Sequence, residues 1–288
     1  MQQIINALAS GAVYALMALG YTMVFGVLRL INFAHCDVMM AGALAGYLCH
    51  GFFHLNAVFS ILISMAFCGI LGVLIEKIAY RPLRHAPSVS ALIAAVGVSL
   101  VLQYGTMLLF GAEPKAYPKD FIGGVVQVGT GVLPLAKVTA LALSVLMMAA
   151  LQAFLKCSRR GRAMRAVACE PYAAKLCGVK EDGVISSAFF IGSALAGAAG
   201  VVYGAMYSIS PLMGTAPGLK AFAAAVIGGI GSIPGAVLGG LVLGLAEALA
   251  SEYISTAFKD CLSFAFLILV LLVRPGGIMD TGAGTDRT

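Results

Sequence analysis

The sequence SRRGRAMRAVACEPYAAKLCGVKED, residues 158–182, is the one long polar segment in a chain that is otherwise strongly apolar. Seven of the eighteen Lys and Arg residues fall between Lys156 and Lys180. Positive charge accumulates in the cytoplasmic loops of membrane proteins. This segment therefore predicts a membrane-embedded chain around it, and it predicts the side of the membrane on which the segment itself lies.

The composition excludes an ordinary soluble globular protein. Of the 288 residues 61% are hydrophobic and only 10% are charged, whereas charged residues make up about 25% of a typical soluble domain. Apolar runs long enough to cross about 30 Å of hydrocarbon recur along the chain. We predict an all-α fold, a polytopic transmembrane helical bundle that forms one domain over residues 1–288. About eight spans are expected, at 4–28, 38–55, 57–75, 88–110, 134–156, 184–207, 219–250 and 261–273.

Charge also predicts the orientation of the bundle. The basic loops 76–87 and 156–182 are separated by two spans and so share the cytoplasmic side. Loop 111–133 and the N-terminus are then expected on the opposite side. The side of the C-terminal tail stays open, because 219–250 exceeds one span and contains GGIGSIPG at 228–235, where Gly and Pro predict a broken helix. Arg274 after the last span favours a cytoplasmic tail.

The polar segment predicts a docking surface, which we place in a cytoplasmic loop at 157–183. Pro171 suits the first turn of a helix, Glu170 stabilises a helix start, and Gly178 is placed to end the helix. A capped, Ala-rich helix of about two turns can occupy a groove on a partner protein. The alternative is a topology signal that binds anionic membrane lipid. The residues predicted to dock are Arg159, Arg160, Gly161, Arg162, Arg165, Glu170, Pro171, Ala173, Ala174 and Gly178.

Two further constellations predict a translocation path. The link RLINFAHCD at 29–37 gathers polar groups between two spans, and Asp37 suits a cap of the following helix; the link is either a cap with a surface loop or a polar floor beneath the path. The broken helix at 228–235 is either a packing kink or a substrate contact. Glu247 on an apolar helix is either functional or lies at the interface. The path residues predicted are Asn32, His35, Asp37, Gly228, Gly229, Gly231, Ser232, Pro234, Gly235 and Glu247.

Other kinds of site have no support in the sequence. No GxxxxGK[ST] occurs, so no nucleotide-binding loop is expected. The seven Cys residues form no CxxC pair, and no metal site is predicted. No set of catalytic residues lies in the spans, so the chain is not expected to be an enzyme. No basic patch interleaved with aromatic residues indicates nucleic acid binding.

The same three segments carry a family resemblance. Residues 11–35 (GAVYALMALGYTMVFGVLRLINFAH), 161–179 (GRAMRAVACEPYAAKLCGV) and 218–240 (GLKAFAAAVIGGIGSIPGAVLGG) closely resemble the inner-membrane permeases of bacterial branched-chain amino-acid ABC importers, of the shorter, first-named type. Cys36 stands where that family usually has Gly, and Glu170 stands where it often has Asp. The match runs in order over nearly the whole chain.

The resemblance implies a set of partners and a location. It implies a bacterial inner-membrane subunit paired with a second permease, two ATP-binding subunits that hold ATP and Mg, and a periplasmic amino-acid-binding protein. It maps Gly161, Arg162, Arg165, Ala173, Ala174 and Gly178 onto the cytoplasmic coupling loop of the family. No cofactor is expected on this chain itself. The substrate class implied is branched-chain, hydrophobic amino acids.

Two alternatives remain at this stage. Relatives with a similar permease carry urea, short amides or other amino acids. An ion-coupled secondary amino-acid transporter would normally place coupling carboxylates inside the spans, and only Glu247 and Asp37 qualify.

Overall fold

The helices of this chain follow one another with short connections, and we describe them from a computed structural model. It describes residues 2–28, 30, 32–84, 86–118, 120–128, 131–253, 258–274 and 276–279. The helices are α1 (Gln2–Leu28), α2 (His35–Phe53), α3 (Ala57–Ile75), α4 (Ser88–Phe110), α5 (Leu135–Cys157), α6 (Arg159–Cys169), α7 (Pro171–Leu176), α8 (Glu181–Met206), α9 (Thr215–Gly228), α10 (Ile233–Tyr253) and α11 (Lys259–Val273). A π-helical turn, Glu76–Tyr80, and a 3₁₀ turn, Arg81–Leu83, extend α3.

Seven helices of the described residues are long and apolar enough to cross a membrane: α1, α2, α3, α4, α5, α8 and α10. The predicted polytopic helical bundle is therefore confirmed. Two of the predicted spans are corrected. The segment 219–250 is two helices, α9 and α10, because the chain breaks between them. The segment 261–273 lies in α11, whose 15 residues reach only about 22 Å at 1.5 Å per residue.

Small residues allow the central helices to pack with their backbones in contact. A Cβ atom added at Gly240 of α10 would lie 2.5 Å from the backbone nitrogen of Ala15 in α1, and one at Gly244 would lie 2.6 Å from the Ala7 carbonyl oxygen. These contacts also show that α10 runs antiparallel to α1. In lipid, close backbone packing of this kind is a main source of helix association.

The predicted cytoplasmic side is consistent with the contacts between its loops. Arg81 and Arg84, which follow α3, both pair with Asp182 at the start of α8, and the Arg84–Asp182 distance is 2.5 Å. Arg84 also pairs with the buried Glu76, which accepts a hydrogen bond from Ser186 at 2.7 Å. The basic loops 76–87 and 156–182 therefore meet at one end of the bundle.

The side of the C-terminal tail, left open by the sequence, follows from helix direction. α1 is antiparallel to α8, since Val13 clusters with Val202 while Gly192 contacts Gly20. Because α10 is antiparallel to α1, its first residues lie at the same end as the start of α8. The tail returns to that end, where the backbone nitrogen of Ile278 donates to the Ile227 carbonyl at 2.8 Å. The described residues 276–279 therefore lie at the end of the bundle that is predicted to be cytoplasmic.

The opposite end carries the loop between α4 and α5. Two short strands, β1 (Val125–Val128) and β2 (Gly131–Pro134), form an antiparallel hairpin there that the sequence did not predict. Closer to α4, Lys115 and Ile209 exchange two backbone hydrogen bonds of 2.8 and 2.7 Å. The Tyr117 hydroxyl donates to the Ala43 carbonyl at 2.7 Å, and burial raises the pKa of Tyr117, so that the hydroxyl keeps its proton. This loop is therefore anchored on α2 and on the segment that follows α8.

Candidate translocation site and cytoplasmic docking hairpin

The polar segment folds as two helices, α6 and α7, which we call the docking hairpin (residues 158–178). Ser158 caps α6, its hydroxyl accepting from the Gly161 backbone nitrogen at 2.8 Å. Gly161 is buried against the backbone of Phe154 and Leu155, so that α6 folds back tightly on the end of α5. The sequence predicted one helix here, whereas the arginines lie on a helix of their own.

α7 matches the predicted short helix. It begins at Pro171, and Gly178 ends it with a φ of 82°, a left-handed conformation that favours glycine. The backbone nitrogen of Val179 donates to the Ala174 carbonyl at 3.1 Å, which completes the helix end. The predicted boundaries of this helix are therefore confirmed, while its role in docking stays a prediction.

Two large apolar side chains of α7 project away from the protein, next to the exposed Lys175. Ala174 is buried, whereas Tyr172 and Leu176 are 71% and 74% exposed. Residues four apart lie on one face of a helix, so the two large side chains form one projecting patch. Arg162 and Arg165 on α6 are exposed next to this helix. An exposed apolar pair with basic neighbours is the composition of a protein-binding surface with a charged rim.

Two helices begin inside the bundle and meet there. The first turn of α2 contacts α1 through His35, whose ring would overlap a Cβ atom on Gly20, and Gly20 in turn packs against Gly192 of α8. Gly20 lies eight residues before the end of α1 and Gly192 lies 11 residues after the start of α8, so His35 is about 12–16 Å from the cytoplasmic helix ends. Gly214, just before α9, and Gly218 within it pack directly on Cys36, leaving no room for a Cβ atom.

The polar residues of the link form specific side-chain pairs in this region. Asp37 is buried and accepts a hydrogen bond from Gln103 of α4 at 2.9 Å. Asn32 accepts from the Tyr80 hydroxyl at 2.8 Å. The predicted cap is wrong: α2 begins at His35 with Ala34 in the capping position, so Asp37 lies inside the first turn. Arg29, the remaining charged residue of the link, lies outside the described residues.

The region around His35 and Cys36 is closely packed. The His35 ring is buried 4.7 Å from the ring of Tyr21, and neither of its nitrogens makes a hydrogen bond of ordinary geometry with the described residues. The Tyr21 hydroxyl lies 2.7 Å from the Cys36 sulfur. These contacts join α1, α2 and α9 at one point within the bundle, where backbone groups at interrupted helices can be satisfied by protein.

The predicted break at 228–235 is present at those residues, but it does not lie at the centre of the bundle. α9 ends at Gly228 and α10 begins at Ile233. Gly229 and Gly231 both have φ of 102°, which non-glycine residues rarely adopt. Because α10 starts at the cytoplasmic end, the break is at that end and not at the centre. The path residues predicted here, namely Gly228, Gly229, Gly231, Ser232, Pro234 and Gly235, are thus not brought together with Asn32, His35 and Asp37.

Glu247 is buried in an ionic network. Its side chain is 2% exposed and lies 2.7 Å from the Lys220 ammonium and 3.1 Å from that of Lys259. The hydroxyls of Tyr14 and Ser263 donate to it at 3.0 and 2.9 Å. This burial and these partners exclude the alternative that the Glu247 side chain lies at the membrane interface and points to solvent. The network joins four helices, α1, α9, α10 and α11.

Comparisons with known proteins give the family. Residues 3–271 match the family described as branched-chain amino acid transport system, permease component. The chain is 44% identical over 293 residues to the high-affinity branched-chain amino acid transport system permease protein LivH of Escherichia coli, covering 97% of this chain and 95% of that protein. It is 40% identical to the corresponding protein BraD of Pseudomonas aeruginosa, with the same coverage.

This chain belongs to the branched-chain amino acid transport permease family.

The fold of the permease is also similar to a solved structure. PsaBC from Streptococcus pneumoniae, determined in complex with Fab, aligns with a TM-score of 0.52 at 10% identity and covers 96% of this chain and 93% of that chain. At this level of identity the similarity concerns the fold alone.

Several residues that pair with the predicted site residues were not predicted from the sequence. Gln103, Tyr80 and Lys220 each pair with a predicted residue from a distant part of the chain. Lys220 carried a usable signal, because a lysine in an apolar helix needs a partner and Glu247 was the available carboxylate. Gln103 and Tyr80 gave no comparable signal, since both are uncharged and do not require an ionic partner.

Proposed function

We propose that this permease is a non-catalytic subunit of an ATP-binding-cassette importer in the bacterial inner membrane. It would translocate branched-chain amino acids delivered by a periplasmic binding protein, with ATP and Mg bound on separate ATPase subunits. The single observation that carries this proposal is the match to LivH of E. coli at 44% identity over 97% of the chain. The docking hairpin supports the part of the proposal that concerns ATPase subunits.

The docking hairpin would transmit movement of the ATPases to the membrane helices. Tyr172 and Leu176 would fill a groove on an ATPase, and Arg162 and Arg165 would contact its acidic rim. Gly161 holds α6 against α5 at backbone distance, so a displacement of α6 must move α5 as well. The link from Asp182 to Arg81 and Arg84 would carry the same displacement to α3.

A second permease subunit would cover the apolar surface of α3 and α4. Large side chains on both helices are exposed, among them Phe59, Ile70, Ile93 and Val101. Lipid would cover the remainder of such a surface. The two permeases together would form the pathway.

The proposal differs in a measurable way from ion-coupled secondary transport. In a secondary transporter a carboxylate within the membrane exchanges protons or sodium. Here the Glu247 carboxylate is already paired with Lys220 and Lys259, which makes it a poor carrier of a coupling ion.

Reconstitution tests the proposal. The permease, its partner permease, the ATPases and the binding protein are placed in liposomes, and uptake of labelled leucine is measured. We expect uptake that requires ATP and every subunit. Concentration of leucine by this chain alone, driven by a proton or sodium gradient, would contradict the proposal. Uptake of urea or an amide in preference to leucine would leave an importer but overturn the substrate class.

A further inference from the structure

The π-turn Glu76–Tyr80 extends α3 at the end of the bundle where the basic loops meet, and both of its end residues are buried. The Arg81 backbone nitrogen donates to the Glu76 carbonyl, so the turn is one residue wider than a turn of α-helix. Such turns are rare and occur frequently at functional sites. The two ends of this one hold different parts of the protein.

The first end of the π-turn is fixed to α8 by a buried carboxylate. Glu76 is 0% exposed, accepts a hydrogen bond from the Ser186 hydroxyl at 2.7 Å and pairs with Arg84. Arg84 also pairs with Asp182 in the first turn of α8, just after the docking hairpin. Separating a buried charge from its partners is strongly unfavourable. A displacement of the start of α8 must therefore move the π-turn with it.

The other end of the π-turn reaches the link before α2. The Tyr80 hydroxyl donates to the Asn32 side-chain oxygen at 2.8 Å, and both residues are 2% exposed. The Asn32 backbone carbonyl in turn accepts from the His35 backbone nitrogen at 3.2 Å, in the first turn of α2. The Tyr80 ring packs 5.2 Å from the ring of Phe189 on α8. Asn32 thus connects the π-turn to the start of α2.

The middle parts of these helices are packed too closely to take up a displacement. A Cβ atom at Gly200 of α8 would overlap the Met39 carbonyl oxygen of α2, and one at Gly72 of α3 would overlap a side chain of α8. Close-packed interiors transmit strain and do not deform easily. A force applied at the docking hairpin is therefore taken up at the cytoplasmic helix ends, where Tyr80 holds Asn32.

We propose that Tyr80 is a positioning residue that couples movement of the docking hairpin to the start of α2. The connected side chains, which we call the relay, are Asp182, Arg84, Glu76, Tyr80 and Asn32. The proposal rests on the proposed function and extends the movement from α3 to the polar link. The hydrogen bond keeps the link in its closed packing, and displacement of the hairpin by the ATPases breaks the bond and releases the link. A neutral hydrogen bond has a modest net strength, which suits a contact that is broken and remade in every cycle.

Tyr80→Phe tests the relay, because it removes the hydroxyl and keeps the ring that packs on Phe189. The importer complex and its binding protein are placed in liposomes, and leucine uptake and ATP hydrolysis are measured together. We expect unchanged co-purification of the ATPases and continued hydrolysis, with about three- to tenfold fewer leucine molecules transported per ATP. A merely structural role would lower uptake and hydrolysis together and leave their ratio unchanged, and this result overturns the proposal.

Ser64→Ala is the matched control. The Ser64 hydroxyl is buried and donates to the Gly42 carbonyl of α2 at 2.7 Å, so this variant also removes a hydrogen bond between α3 and α2, but in the middle of α3. We expect the number of leucine molecules per ATP to equal that of the unaltered complex. An equal loss in the control would mean that any weakened contact between these helices uncouples transport, and the role of Tyr80 would be overturned.

A second variant tests whether the two ends belong to one relay. Asp182→Asn removes the charge that pairs with Arg81 and Arg84, and we expect about two- to fivefold fewer leucine molecules per ATP. Losses at independent sites add in free energy and so multiply as fold-changes, whereas losses at coupled sites do not. Asp182→Asn with Tyr80→Phe should therefore lose no more than the worse single variant. A loss equal to the product of the two overturns the relay.

Uptake by the unaltered complex distinguishes failure of the relay from failure of the proposed function. If the unaltered complex imports leucine with ATP and Tyr80→Phe has the same ratio of leucine to ATP, the relay alone fails. If the unaltered complex shows no ATP-dependent uptake, the proposed function fails and the relay fails with it.

Discussion

The docking hairpin and the Glu247 network are both rich in charged side chains, but the hairpin exposes its charges to solvent and the network buries them. The hairpin exposes Arg162 and Arg165 to solvent, and neither arginine forms a salt bridge within the described residues. The network buries Glu247 between Lys220 and Lys259. Exposed charges contribute little to folding, whereas a buried charge is strongly destabilising once its partner is removed.

This difference in burial indicates that the Glu247 network stabilises the bundle and that the docking hairpin binds a partner protein. Substitutions in the network should act on folding first. Substitutions in the hairpin should act on association with partners while the protein stays folded. Four predictions test this contrast, ordered by the size of their expected effect.

The largest effect is expected for Glu247→Ala. This change removes the buried one of the two carboxylates that lie 2.7 Å from the Lys220 ammonium, leaving the exposed Asp260 as its acidic partner, and it leaves the Tyr14 hydroxyl without its acceptor. We expect a loss of about 3 kcal/mol in the free energy of unfolding, measured as a lower melting temperature of the detergent-solubilised protein. Glu252→Gln on the same helix is the control and should have no effect.

A double variant sharpens the same prediction. Lys220→Met together with Glu247→Leu removes both buried charges, and apolar replacement of a buried pair is often nearly neutral. We expect the double variant to recover more than half of the stability lost in Glu247→Ala. A double variant less stable than Glu247→Ala would contradict the view that the buried Lys220 charge, once it has lost its buried partner, is the cause.

The next effect concerns helix packing near the network. A Cβ atom at Gly239 of α10 would overlap the Ala224 carbonyl of α9, so Gly239→Ala must push the two helices apart. We expect a loss of about 1–3 kcal/mol in the free energy of unfolding. The control is Gly97→Ala on the exposed face of α4, where nothing lies within 4 Å; it should be neutral or stabilise by about 0.5–1 kcal/mol. Equal losses in both variants would point to helix propensity and not to packing.

The third prediction concerns the apolar patch of the docking hairpin. Tyr172→Ala together with Leu176→Ala removes side chains that project from α7. We expect the free energy of unfolding to stay within about 0.5 kcal/mol, while affinity for the ATPase subunits falls about 10- to 100-fold. Co-purification and titration of the ATPase measure this. An unfolded double variant would place the patch inside the structure and contradict the contrast.

The smallest effect is expected for the basic rim. Arg162→Glu together with Arg165→Glu should leave the protein folded and weaken ATPase binding about 3- to 10-fold, because rim charges act mainly on association and are screened by salt. The deficit should shrink as ionic strength rises. Lys77→Glu reverses another exposed charge on the cytoplasmic side and should have no such effect. Undiminished ATPase capture by the Arg162 and Arg165 variant would count against a docking role for the arginines.

Local features of the sequence predicted much of this molecule. Pro171 and Gly178 predicted the ends of α7 because helix starts and ends depend on residues close in sequence. The continuous apolar runs predicted six membrane helices with bounds close to those observed, for the same reason. The cap assigned to Asp37 was wrong because α2 begins two residues earlier, at His35, and inside the helix Asp37 instead accepts a hydrogen bond from the distant Gln103.

The sequence by itself determined a helical membrane bundle, the gathering of its basic loops at one end and the short helix that projects there. These depend on residues that are neighbours along the chain. The tertiary structure alone decided that Lys220 neutralises Glu247, that α2 and α9 begin inside the bundle against each other, and that Tyr80 donates a hydrogen bond to Asn32. Helix packing in lipid depends on shape and small residues rather than on apolar periodicity, so nothing in the local pattern specifies which distant side chains will meet.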